Sequence, residues 1–281
     1  VLTPENRNII RAYHDSILVE SDSLVNAWSD LNKSAASMKL IRYFSKALRV
    51  PGSYQYSFDS LSSIAILEPE DKLFRIFTWQ LAYDNGTHRY YGVIQTNAPQ
   101  PVLFPLVDYG TLYQHPDSII VDHDRWIGAL YYKIIPVKSG KTTYYTLFGW
   151  NGGNVLSNKK IIDVLWWDGE GKPRFGYPLF DMLKGKSPTR VILEYKDDAS
   201  LSLSYIPEEQ SIYYDHLVPL SGKQGDFKFD YVPDGTLEGF IWKKGKWKQL
   251  EIIDYEKRQD GQVPNVIKEQ KQPLYRPLPP R

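Results

Sequence analysis

One carboxylate stands inside an otherwise apolar run, Ile161-Ile162-Asp163-Val164-Leu165-Trp166-Trp167. On a strand, alternation points Asp163 the same way as Ile161, Leu165 and Trp167, into whatever covers that face. A buried carboxylate needs a cation or several N–H donors, or it takes up a proton. Asp163 therefore reads either as a catalytic acid or cation ligand, or as the structural partner of a Lys or Arg. The densest titratable cluster is Asp122-His123-Asp124-Arg125. If extended, it presents Asp122 and Asp124 on one face, as a calcium site or a general acid/base pair would require. It lies just before a strand predicted to start at Trp126, where polar loop residues are expected, and no further ligands follow at metal-site spacing. A third candidate, Asp215-His216, fails on geometry, because adjacent strand residues point to opposite faces and cannot act as base and orienter.

No nucleophile elbow, phosphate-binding loop, dinucleotide fingerprint or His-Glu-x-x-His motif accompanies these residues. The catalytic candidates are thus Asp163, Asp122 and Asp124, with no metal and no cofactor implied. The chain contains no Cys, which excludes disulfides, Cys-ligated metals and thiol nucleophiles. Binding chemistry could instead come from aromatic rings, which make up 14% of the residues. Tyr and Trp combine a flat apolar body with a polar tip, and exposed examples in β domains stack on sugar rings. In the stretch from Tyr144 to Asn154, alternation places Tyr144, Phe148 and Trp150 on one face and Tyr145 and Leu147 on the other. Asn151-Gly152-Gly153-Asn154 then reads as the turn that delivers the chain to the strand of Asp163. No helix follows it to complete a phosphate cradle. Trp150, Asn151, Trp166 and Trp167 are the candidate ligand-binding residues.

The elements that must position these groups divide the chain in three. Residues 1–52 read as a helical segment. Thr3-Pro4-Glu5 is a helix start with a hydroxyl cap, Pro in the first turn and an acid near the positive end of the dipole. Ile10, Ile17, Leu24 and Leu31 repeat every seven residues, with Tyr13 and Trp28 beside them. A second helix is predicted over 35–49, with Met38, Ile41 and Leu48 on its apolar side, stopped by Val50-Pro51-Gly52. Residues 53–255 read as short strands parted by turns such as Asp84-Asn85-Gly86-Thr87 and Lys138-Ser139-Gly140-Lys141. Predicted meanders cover 191–217 and 227–253. Short connections force antiparallel neighbours. The expected fold is therefore α+β: an N-terminal helical hairpin packed on a large antiparallel β meander domain, as a sandwich, open barrel or propeller-like array. Strands apolar on both sides, such as 126–135, should be covered on both sides. Residues 256–281 read as a Pro-rich tail suited to extended polyproline II.

The formal net charge of +1, from 34 basic and 33 acidic residues, lacks the basic excess of a nucleic-acid binder. No apolar run reaches the roughly 18 residues that span a bilayer. Because the sequence starts at Val1, a signal peptide or lipid anchor is expected to precede it.

Several stretches together resemble one family. They are Phe58-Asp59-Ser60-Leu61, Leu73-Phe74-Arg75-Ile76-Phe77-Thr78-Trp79, Tyr90-Tyr91-Gly92, Gly128-Ala129-Leu130-Tyr131-Tyr132, Tyr144 through Gly152, Asp215-His216-Leu217-Val218-Pro219 and Gly245-Lys246-Trp247. The pattern is similar to an uncharacterised family of exported proteins of Gram-negative bacteria. The resemblance implies a cell-envelope location, periplasmic or membrane-anchored through a preceding segment, and no particular chemistry. Where the family often carries Asp, this chain has Asn151. The resulting expectation is a non-enzymatic envelope protein that recognises a protein partner or a glycan. The alternatives are a hydrolase of envelope polysaccharide or peptide using the acidic residues, and a structural subunit of an envelope assembly.

Overall fold

A computed structural model describes residues 1–222, 225 and 228–254. The predicted Pro-rich tail, 256–281, and the start of the strand predicted at Phe227 lie outside the described residues.

Two helices open the chain, α1 (Pro4–Asn26) and α2 (Asp30–Leu48). The Thr3 hydroxyl accepts from the Asn6 N–H at 3.2 Å with Pro4 in the first turn, so the predicted start is realised. Ser29 caps α2 in the same way. The expected stripe holds for Ile10, Ile17 and Leu24 but ends there. α1 runs unbroken to Asn26, which leaves Trp28 in the turn and Leu31 in the first turn of α2, 96% and 78% exposed. Of the face expected for α2 only Leu48 is buried. Ala36, Leu40, Phe44, Ala47 and Leu48 point inward, while Met38 and Ile41 are exposed. The alanines allow close approach to the sheet below, and Phe44 stacks on Trp79 with ring centroids 5.4 Å apart. Packing shape thus overrode side-chain hydrophobicity.

Three sheets follow, antiparallel but for one strand pair. The first is β1 (Ala65–Leu67), β2 (Phe74–Ala82), β3 (His88–Thr96) and β4 (Leu103–Val107), in chain order. The second contains β5 (Val121–Asp122), β6 (Leu130–Ser139), β7 (Thr142–Asn154), β8 (Ser157–Trp167) and β9 (Pro173–Phe175), ordered β5-β9-β8-β7-β6. The third comprises β10 (Phe180–Asp181), β12 (Leu203–Ile206), β13 (Ser211–Pro219), β14 (Tyr231–Lys243), β15 (Lys246–Gln249) and β16 (Ile253–Asp254), which pairs with β14. β11 (Val191–Lys196) lies between them in sequence and joins the second sheet, against the first half of β8.

Each sheet packs on the next. α1 and α2 cover one face of the first sheet through Phe44, Phe77, Trp79, Leu81 and Val93. The opposite face, carrying Phe74, Ile76 and Ile94, meets Tyr131, Tyr145, Leu147, Ile161 and Leu165 of the second sheet. The reverse of the second sheet, with Tyr144, Phe148, Ile162 and Val164, closes on Ile212, Tyr214, Phe240 and Trp247 of the third. The central strands are therefore covered on both sides, as their uninterrupted apolar sequences require. The fold is α+β with a helical N-terminus, and its sheets do not close into a barrel.

Pairing differs from the sequence reading in four places. The run predicted to begin at Trp126 becomes strand only from Leu130, because 123–125 form a 3-10 turn ahead of it. The 191–217 meander is split, since β11 pairs with β8 and not with β12. The stretches 227–232 and 237–242 are not separate strands, because β14 runs through both from Tyr231 to Lys243. β10 and β15 pair in parallel over Phe180↔Trp247 and Asp181↔Lys248, neighbours that short loops do not connect. Pairing partners are set by which face each strand must bury, and local turn chemistry constrains that only for adjacent strands.

Candidate functional site

Asp163 occupies the middle of β8 and faces the first sheet with Ile161 and Leu165, as alternation dictates. Its partner is Arg190, just before β11, whose Nε donates to Oδ1 at 3.0 Å. The same oxygen accepts the Val164 N–H at 2.9 Å, and the Tyr131 hydroxyl donates to Oδ2 at 2.9 Å. Trp126 Nε1 in turn donates to the Tyr131 oxygen at 2.9 Å. Both members of the ion pair have no solvent exposure. Burial, followed by the adjacent Asp163 charge, holds the Tyr131 phenol well above its ordinary pKa. Guanidinium Nη1 reaches into the 116–119 loop and meets the carbonyls of Pro116 and Ile119, while Nη2 is buried without a hydrogen-bond partner among the described residues. Gly176 borders this group with φ +87°, and a Cβ there would lie 2.4 Å from Arg190 Nη2. Asp163 is thus the anchor of a cation that ties β8 to a distant loop. An acid or base that moves protons to a substrate must reach it, and this one is enclosed.

The second cluster does not form an acid/base pair. β5 ends at Asp122, whose carboxylate meets Arg174 of β9 at 2.7 Å. Asp124 falls in the 3-10 turn of 123–125 and is exposed. The shared strand face that would have paired the two carboxylates is absent.

The aromatic candidates are also dispersed. Trp166 faces the core between the second and third sheets, edge-on to Tyr177, with Nε1 donating to the Gly176 carbonyl at 3.0 Å. Trp167 takes the opposite face, between Phe74 and Phe104. Trp150 pairs with Lys160, near the far end of the same hairpin, and meets His88 edge-on with ring centroids 5.8 Å apart. Asn151 is held in place: Nδ2 donates to the Gly128 carbonyl at 2.9 Å, and Oδ1 accepts the Gly153 N–H at 2.8 Å. Gly152 N–H donates to the Tyr90 hydroxyl at 2.7 Å. Asn151-Gly152-Gly153-Asn154 is therefore a bulge within β7 and not the reversal, which falls at Val155 and Leu156. Gly153 adopts φ +51°, and a Cβ there would meet the Ser157 carbonyl oxygen at 2.3 Å.

His88 beside this bulge makes a pH prediction. Burial pushes its pKa below the ordinary 6.5, partly opposed by the Asp197 charge, and its Nδ1 is buried without a partner among the described residues. A base whose folded pKa is depressed binds protons more readily when unfolded. Its contribution to stability is complete above the unfolded pKa and falls away as pH drops below it. Melting curves at pH 7.5 and 5.5 should show a smaller acid-induced loss for His88→Asn than for the unsubstituted protein.

A constellation that the sequence reading missed lies where the second and third sheets part. His216 and Tyr214 alternate onto the inner face of β13, opposite β14. The β13–β14 register shifts between Asp215 and Leu217, and this bulge sets His216 Nδ1 2.9 Å from Asp234 and Nε2 3.7 Å from Glu238. Glu238 also accepts from Tyr214, whose phenol is pushed up first by burial and then by that carboxylate. Asp215 points elsewhere, as expected, and its Oδ2 accepts the Ser202 N–H at 2.7 Å. Burial raises the Asp215 pKa despite that hydrogen bond. With the edge of β11, Lys228 and Tyr231, these groups line a cleft of about 190 Å³. The pairing of His216 with Asp234 was invisible because the sequence pattern reads β14 as two strands, which hides the register across it.

Among the described residues, no group of three or more His, Asp or Glu side chains is placed to hold a metal ion, and no helix is long and apolar enough to cross a membrane. No family model, no curated protein and no solved structure matches the chain.

Proposed function

We propose that this chain is a non-enzymatic binding protein of the cell envelope that recognises a glycan or a protein partner. The observation that supports this over hydrolysis is the enclosure of Asp163. The carboxylate most shielded by its sequence context is fully paired inside the core, and Asp122 and Asp124 are separated. The envelope location rests on the family resemblance.

Co-sedimentation with purified cell-wall polysaccharide and with isolated envelopes tests the reading. The expected result is retention in the pellet with no release of soluble reducing ends or peptide. Release that is lost in Asp163→Asn, or in the Asp122→Asn/Asp124→Asn pair, with sedimentation kept, would establish the hydrolase instead. Failure to sediment with either material would remove the binding reading.

A further inference from the structure

We propose that the outward face of α2, together with the turn before it, docks on a lipid bilayer that carries anionic head groups. This goes beyond the binding reading above, because it concerns how the protein is held at the envelope, whatever ligand it recognises.

Leu31, Ala35, Met38, Arg42, Lys46 and Arg49 recur every three or four residues, so they fall on one stripe of α2, and all six are exposed. The stripe lies opposite Ala36, Leu40, Phe44 and Ala47, which pack on the first sheet. Its apolar end continues into Trp28, 96% exposed at the tip of the helical hairpin. Removing such groups from water is favourable, and no described residue covers them. The other end is cationic. α2 with its C-cap Arg49 holds five basic residues and one acid, Asp30. Two of the five are engaged: Lys33 meets Asp30 and Asp84, and Lys39 meets Glu20. Arg42, Lys46 and Arg49 meet no carboxylate among the described residues. Arg49 donates to the Ser45 hydroxyl, and Lys46 lies over the Tyr13 ring. The negative end of the helix dipole accounts for Lys46 and Arg49. It does not account for Arg42, which stands outside the last turn, or for the exposure of Trp28 and Leu31.

The chemistry of the stripe selects the occupant. Anionic head groups over acyl chains call for cations beside apolar side chains, and Trp concentrates at that boundary. The 19 residues of α2 span about 28 Å, and one continuous surface engages both ends of the stripe. A ring that stands clear of the protein on every side suits a soft medium that can envelop it. A second copy fits less well. The three cations would leave water against a face whose one acid, Asp30, already meets Lys33. α1 carries the opposite excess, four acids to two bases, so the docking face is that of α2 alone.

Flotation with vesicles of phosphatidylglycerol and phosphatidylethanolamine, and with vesicles of phosphatidylcholine alone, tests the assignment with no polysaccharide present. The protein should float with the anionic vesicles at low salt, be released by about 0.5 M NaCl, and stay unbound with phosphatidylcholine. Arg42→Gln/Lys46→Gln/Arg49→Gln should weaken partitioning roughly a hundredfold, at about fivefold for each cation. Trp28→Ser should weaken it about tenfold. Neither variant should lower the melting temperature, since all four side chains are exposed. Quenching of tryptophan fluorescence by brominated lipid in the anionic vesicles should be lost in Trp28→Phe, which keeps an apolar ring. Partitioning unchanged in both the triple variant and Trp28→Ser overturns the docking face. No flotation with anionic vesicles overturns docking on lipid altogether. Binding of poly-L-glutamate without flotation assigns the face to an acidic protein segment and overturns the membrane. So does a dimer, seen by light scattering, that Trp28→Ser dissociates and that does not float. Sedimentation with purified polysaccharide is measured apart from all of these, so the binding reading stands or falls separately.

Discussion

Arg190→Met should destabilise the protein by about 3–5 kcal/mol, because it strands the Asp163 carboxylate in the core without its cation. The pair has no exposure on either side, and Arg190 also supplies donors to the 116–119 loop. For a chain of this size the loss corresponds to a fall in melting temperature of roughly 10 °C. Asp163→Asn should cost a comparable amount, since it leaves the guanidinium buried and unpaired while the Tyr131 hydroxyl keeps an acceptor. The double variant Asp163→Leu/Arg190→Met is the informative one. Replacing both charges by apolar groups avoids the unpaired ion, so it should be more stable than either single variant. Thermal melting of all four proteins measures the coupling. Additive losses would show that the two side chains act independently, and an unaltered melting temperature for Asp163→Asn would reopen a chemical role for the carboxylate.

Trp247→Ala should be of similar size, about 3–5 kcal/mol, as a large-to-small change in the core between the second and third sheets. Trp247 has no exposure, meets Trp242 edge-on at 5.0 Å, and its backbone N–H donates to Leu179 at 2.9 Å. Its indole Nε1 also donates across the layers to the Thr146 hydroxyl of β7 at 2.9 Å. Trp247→Phe separates packing from that hydrogen bond. It keeps most of the apolar volume but leaves a buried hydroxyl without a partner, a loss of roughly 1–3 kcal/mol. Thr146→Val added to Trp247→Phe should recover part of the loss by removing the stranded group. Urea unfolding of the three variants checks the order, and no recovery in the double variant would mean that the hydrogen bond contributes little.

Local features were legible wherever a residue's conformation answers to its immediate neighbours. Thr3-Pro4 started a helix, Asn85-Gly86 turned a hairpin, and alternation correctly sent Asp163 toward the same side as Ile161 and Leu165. The same alternation split Tyr144 and Phe148 from Tyr145 and Leu147, which now face the two different cores. What failed depended on the identity of the covering layer. Met38 and Ile41 are as apolar as Leu40 and Phe44, but only the latter face the first sheet. The Asn-Gly-Gly-Asn stretch has the composition of a turn and is a bulge, because Tyr90 from a different sheet hydrogen-bonds to Gly152 and Asn151 reaches back to Gly128.

By itself, then, the sequence determined the class of the fold, the start of the first helix, the β2–β3 hairpin, and the need of Asp163 for a buried partner. Only the tertiary structure decided that the partner is Arg190, 27 residues away, and that His216 meets Asp234 across a bulge. The physical reason is one of range. Helix caps, turns and face alternation are set by interactions over a few residues. Pairing of strands and charges is set by which surfaces must be buried against one another, and that is a property of the assembled layers.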